Sequence, residues 1–167
     1  MIDHLHEVHP HFKIDGNHFS KKELYSVAYS FVKEGEPFEE KIGNFLLDWL
    51  NDDYDTITVR TSGSTGEPKT YFLDKQKMVN SALATGKFFK IQEGTKALLC
   101  LPADYIGGRM MLVRAMVLGW DLDIIKPKLN PLDELFKTYD FCAMTPFQMD
   151  NSLGRLHLVK KLIVGGG

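Results

Sequence analysis

Apolar residues recur along this chain at two different spacings, and the change from one to the other falls near residue 54. Before it the spacing is helical. Ser20-Lys21-Lys22-Glu23 has the form of a capping box, and Leu24, Val27, Ala28, Phe31 and Val32 follow on one face, which predicts a helix over 21–33 stopped by Gly35. A second helix is predicted from Pro37, with Phe38, Ile42, Phe45, Leu46, Trp49 and Leu50 along its buried stripe. These two helices read as a layer packed on a sheet. From Tyr54 onward, short apolar runs at 56–59, 70–73, 97–101, 122–125, 141–144 and 162–164 alternate with helical segments. The helices are predicted at 75–89 with Asp74 as N-cap, 107–118 closed by Gly119, 131–138 opened by Pro131, and 146–153. That alternation predicts an α/β fold, a mostly parallel sheet flanked by helices, with ligands held beyond the carboxyl ends of the strands. The expected organisation is an N-terminal arm and helical layer over 1–53 and an α/β unit over 54–167.

Composition sharpens this picture mainly by exclusion. With 167 residues, 44% apolar and 25% charged, the chain can bury one real core. A net charge of -2 offers no electrostatic footprint, so neither nucleic acid nor an anionic membrane is an expected partner. Cys100 and Cys142 fall in predicted buried strands and read as reduced small hydrophobes, not as a disulfide framework. Met1-Ile2-Asp3-His4 has neither the basic region nor the apolar run of a signal peptide, and the expected compartment is the cytoplasm. The longest apolar stretch, 110–120, is too short to span a bilayer and reads as a buried helix, with Met110, Met111 and Met116 as core filling. Arg114 interrupts it, and a buried arginine needs an anion, either a ligand or an acid such as Asp104 or Asp121. Asp133 and Glu134 read as first-turn helix acids. Five of the six histidines precede residue 19, at 4, 6, 9, 11 and 18. No cysteine or carboxylate cluster completes a metal site around them, so they read as a polar strand or arm and no metal ligand is assigned.

The densest candidate chemistry is the stretch Thr61-Ser62-Gly63-Ser64-Thr65-Gly66-Glu67-Pro68-Lys69. Gly63 and Gly66 admit close approach of an anion, the hydroxyls add donors, and Lys69 adds a mobile positive charge. A Walker phosphate loop needs glycine before its lysine and opens a helix, whereas here Pro68 precedes Lys69 and Thr70-Tyr71-Phe72-Leu73 is strand-like. The loop therefore joins two strands. A solvated hairpin turn is the bland alternative, and the lysine, proline and flanking strands favour a phosphate-holding role.

This stretch resembles the signature loop of the adenylate-forming superfamily, the acyl-CoA synthetases and their relatives, at every fixed position. The resemblance implies ATP phosphate binding by Thr61, Ser62, Gly63, Ser64, Thr65, Gly66 and Lys69. It implies ATP, Mg²⁺ and coenzyme A as cofactors, a small-molecule carboxylate as substrate, and an acyl-adenylate as intermediate. Leu101-Pro102-Ala103-Asp104-Tyr105-Ile106-Gly107-Gly108 is similar to the family's acyl-pocket motif, with Tyr105 where histidine is usual, and this implies pocket roles for Tyr105 and Gly108. A plain strand-to-helix turn would also account for the glycines. The spacing from Tyr105 to Arg114 is similar to that in the o-succinylbenzoate-CoA ligase branch, of the menaquinone pathway, and implies that Arg114 meets the substrate's carboxylate. Gly165, Gly166 and Gly167 resemble the glycine run that borders the adenylate; a flexible glycine terminus is the alternative. On this resemblance the chain is expected to be an incomplete, truncated N-terminal part of the large domain of an adenylate-forming enzyme. The metal-binding glutamate and the lid lysine would then lie beyond it, so no catalytic residue is assignable and the chain alone is expected to be inactive. A naturally short, non-catalytic phosphate- or nucleotide-binding module is the alternative, and oligomeric state is left open, a homo-oligomer included.

Overall fold

The computed structural model describes residues 8–60 and 66–166. The polar N-terminal region forms a small hairpin: β1 (Lys13–Ile14) and β2 (Asn17–His18) joined by Asp15 and Gly16, both at positive φ. β1 is too short to register in the apolar pattern, yet it joins the main sheet. It runs parallel to β6 (Asp121–Ile124), where the Asp15 carboxylate accepts the Ile124 N–H at 2.9 Å.

The two predicted N-terminal helices form as α1 (Lys21–Glu34) and α2 (Pro37–Leu50), packed on each other. The Ser20 hydroxyl accepts the Glu23 N–H and the Glu23 carboxylate accepts the Ser20 N–H, so the capping box satisfies donors that the first turn leaves orphaned. The far end of α2 has no basic residue of its own in its last turn. Lys75, the first residue of α3 (Lys75–Phe89), supplies one: its buried ammonium donates to the carbonyls of Trp49 at 3.1 Å and Asn51 at 2.7 Å.

The first two predicted strands correct one expectation. β3 (Thr56–Arg60) and β4 (Thr70–Asp74) form a separate antiparallel pair outside the parallel sheet. Their register pairs Arg60 with Thr70, leaving 61–69 as the connection. A parallel pairing would need a crossover of a dozen or more residues, which this connection cannot supply.

The main sheet has the order β2-β1-β6-β5-β7-β8, with β5 (Lys96–Leu99), β6, β7 (Tyr139–Met144) and β8 (Val159–Val164) all parallel. Both faces are covered, as parallel sheets require. Ala97, Leu99, Phe141 and Ala143 face a large core shared with Phe12, α1, α2 and α4 (Ile106–Leu118). Leu98, Cys142 and Met144 point the other way, into a smaller core with Cys100, Leu132 and Tyr139. Both cysteines are buried and free, with sulfurs 3.7 Å apart. Met110, Met111 and Met116 are buried in the large core, as expected.

The predicted helix over 131–138 does not form; turns occupy 131–134. Glu134 lies at positive φ, and Arg155 donates to the carbonyls of Leu132 and Leu135, oxygens that a helix would have used. Asp133 and Glu134 are therefore not first-turn helix acids, and Glu134 instead stands 3.6 Å from Lys128. The predicted helix over 146–153 ends earlier, as α5 (Pro146–Asn151) followed by a 3-10 helix (Leu153–Leu158).

Candidate active site

The carboxyl ends of β5, β7 and β8 meet in one region, because parallel strands deliver all their exits to the same edge. After β5 the chain runs through Leu101 and Pro102 to Tyr105, which stands at the N-terminus of α4. After β7 comes Thr145, and after β8 come Gly165 and Gly166, with the Gly165 N–H donating to the Met144 carbonyl at 3.1 Å. These segments and the end of β3 enclose a largely apolar cavity of about 520 Å³, lined by Val59, Leu101, Pro102, Ile106, Gly107 and Gly108 together with Arg60, Tyr105, Thr145, Gly165 and Gly166.

Gly108 has a packing reason to be glycine. A β-carbon there would stand 2.2 Å from the Pro102 carbonyl oxygen, so the turn into α4 closes only without a side chain. At Gly165 and Gly166 a β-carbon would meet nothing within 4 Å, and it would project into open space beside the cavity.

A second, more polar cavity of about 450 Å³ adjoins the first and shares Arg60 and Tyr105 with it. Its other charged lining residues are Lys41, Asp104 and Arg109. Lys41 and Asp104 stand 3.7 Å apart, which leaves Arg60 and Arg109 as the positive excess. Arg109 is held rigidly: its guanidinium donates to the carbonyls of Ala103 at 2.9 Å and Thr58 at 2.6 Å and lies over the Phe45 ring at 5.4 Å. Burial lowers its pKa from the ordinary arginine value, opposed by the charges of Asp48 and Asp104, and it stays cationic.

Arg114 is placed elsewhere. Nine residues along a helix from Tyr105 corresponds to about 180°, so the two side chains leave α4 on opposite sides. Arg114 lies against α3, where it donates to the Thr85 hydroxyl at 3.3 Å and approaches the Met111 sulfur at 3.8 Å; it lines neither cavity. Neither expected acid pairs with it, since Asp104 meets Lys41 and Asp121 meets Lys96 at 2.9 Å. Burial lowers its pKa, and among the described residues no acid opposes the shift. Arg109 and Arg60, neither singled out from the sequence, are the arginines that line the cavities. Arg109 stands four residues from Tyr105, on the same side of the helix, and that spacing was the available signal.

Thr61, Ser62, Gly63, Ser64, Thr65 and Gly167 lie outside the described residues, as do His4 and His6. The anchors of the loop are described. Arg60 lines both cavities, Pro68 lines the polar one, and Gly66 and Lys69 are exposed beside it in sequence. Among the described residues lining the two cavities, Asp104 is the single carboxylate, and Lys41 stands beside it. The donors present thus suit an anionic, partly apolar ligand, and they do not form an oxygen cage for Mg²⁺.

No protein-family profile matches the chain, and no curated protein matches it. Solved structures do. An acyl-CoA synthetase (AMP-forming)/AMP-acid ligase II-like protein from Dyadobacter fermentans matches at 37% identity and TM-score 0.70, over 79% of this chain and 39% of that one. The o-succinylbenzoate coenzyme A synthetase MenE from Bacillus subtilis in complex with AMP matches at 20% identity and TM-score 0.56, over 66% of this chain and 30% of that one. The same enzyme with ATP and magnesium ion matches at 19% identity and TM-score 0.56, over 66% and 25%. The chain thus spans about two fifths of the length of the first of these proteins and less of the others. In fold, and in identity to the first of these proteins, this chain is similar to AMP-forming acyl-CoA synthetases over the N-terminal part of their length.

Proposed function

We propose that this chain is part of an ATP-dependent carboxylate-CoA ligase, and that o-succinylbenzoate is its acyl substrate. The observation that supports the reading is the position of the residues flanking the signature loop: Arg60 lines both cavities and Pro68 one of them, together with Tyr105, Arg109, Gly165 and Gly166. In the reaction, a substrate carboxylate oxygen attacks the α-phosphorus of ATP, the bond to the β-phosphate oxygen breaks, and pyrophosphate leaves. The protein supplies position and charge. The 61–69 loop holds the phosphates, Gly165 and Gly166 leave room for the adenylate that the Gly165–Gly167 run would border, and Tyr105 and Gly108 border the acyl group. Arg109 takes the role first given to Arg114, meeting a second carboxylate on the acid. Magnesium, when bound, neutralises phosphate charge, and its carboxylate ligands are not among the described residues of the site. Coenzyme A is the acyl acceptor in this reading, and the compartment is the cytoplasm. Among the described residues no helix is long and apolar enough to cross a membrane.

The test is substrate-dependent ATP-pyrophosphate exchange, run on the 167-residue chain and on any longer product of its gene. The chain alone is expected to give none, and a longer product is expected to respond to o-succinylbenzoate. Exchange by the 167-residue chain at an enzymatic rate would overturn the expected inactivity. A longer product that exchanges with no carboxylate would overturn the ligase reading. In an active form, Arg109→Ala should raise KM about ten-fold or more for acids with a second carboxylate, the scale of one charged hydrogen bond, and change monocarboxylates little.

A further inference from the structure

At the opposite edge of the sheet, where β5 and β6 begin, three groups that ligate metal converge: His9, His11 and Glu93, whose ligand atoms lie within 4.8 Å of one another. We propose that they form a binding site for a zinc-class divalent cation, independent of the ligase chemistry. Zinc ligands stand about 2.0–2.1 Å from the ion, so two of them on a tetrahedron are about 3.3–3.4 Å apart. Glu93 Oε2 stands 3.5 Å from His9 Nε2 and 3.1 Å from His11 Nδ1, close to that edge. Two imidazoles and a carboxylate suit zinc and its neighbours over magnesium or calcium. The fourth position is open to water, since Glu93 and His11 are exposed.

Backbone contacts hold the ligands in place. The His9 N–H donates to the Met116 carbonyl at 2.8 Å, and its ring lies so close over Gly119 that a β-carbon there would be 2.4 Å from it. The Gly94 N–H, next to Glu93, donates to the Gly119 carbonyl at 2.8 Å. One glycine at the end of α4 therefore fixes both sides of the site. His9 Nδ1 accepts the exposed His11 N–H at 3.0 Å. Coordination through Nε2 moves the ring proton to Nδ1 and releases that amide to water, with no net change in charge on the ring.

Titration calorimetry with Zn²⁺ alone on the 167-residue chain tests this. One equivalent should bind saturably and raise the unfolding temperature, as a ligand of the native state must. Glu93→Gln and His11→Ala, both at exposed positions, should each weaken binding by about ten-fold or more, at least the scale on which even outer partners of metal ligands register. A variant with both His4→Ala and His6→Ala should bind as the parent does. Absence of saturable binding, equal binding by parent and Glu93→Gln, or loss of binding in the His4, His6 variant would each overturn the site.

Discussion

Lys75 is fully buried, and its ammonium caps the last carbonyls of α2, so one side chain ties the N-terminal helices to the start of α3. Burial lowers its pKa from 10.5, opposed by the charges of Asp52, Asp48 and Asp55. The sign follows from proton counting. Between the lowered value and 10.5 the unfolded chain binds more protons than the folded one, so stability rises with pH across that window. The unfolding free energy of the parent, measured against that of Lys75→Met, should therefore shift in the parent's favour as pH climbs toward 10.5. A flat or opposite difference in urea titrations would contradict it. The same scale separates the two arginines of α4. Arg109 and Arg114 are five residues apart, about 140° further round the helix, so only one can share a face with Tyr105. The other positions of α4 are all apolar or glycine, so the sequence pattern carried no phase to say which arginine faces which way.

Elements with local signals were legible in the sequence. The Ser20 and Asp74 caps, the Pro37 start and the Gly119 end of α4 each rest on contacts within a few residues, and each forms as read. The segment at 131–138 had a local signal too, in Pro131 and the acids behind it, and there a distant residue prevails. Leu132 is buried among Leu98, Tyr139 and Cys142, and Arg155 takes the Leu132 and Leu135 carbonyls. Both bonds come from one cation, so Arg155→Ala should cost about 1.5–3 kcal/mol of stability, the range for charged hydrogen bonds, read from the denaturation midpoint at unchanged slope. A loss under a few tenths of a kcal/mol would mean that the turn is held by Leu132 burial alone. The hairpin of β3 and β4 was legible as two strands, but its separation from the parallel sheet depended on the connection length.

For the whole molecule, the proposed boundary at residue 53 runs through a continuous core. Phe12, Leu24, Phe45 and Trp49 pack in one cluster with Leu99, Met111 and Phe141, and β1 pairs with β6. The chain should therefore unfold in a single transition, with coincident midpoints by far-UV circular dichroism and tryptophan fluorescence, since Trp49 and Trp120 lie on either side of the boundary. Two separated transitions would support a division at 53. The sequence by itself determined the α/β alternation, the helix caps and the phosphate-loop resemblance, because periodicity, capping and a contiguous motif are properties of neighbouring residues. Tertiary structure alone decided that Arg109 and not Arg114 lines the charged cavity, that 131–138 is not a helix, and that Glu93 stands beside His9 and His11. Those outcomes depend on helix phase and on contacts between residues up to 84 positions apart, as between His9 and Glu93, which no local pattern encodes.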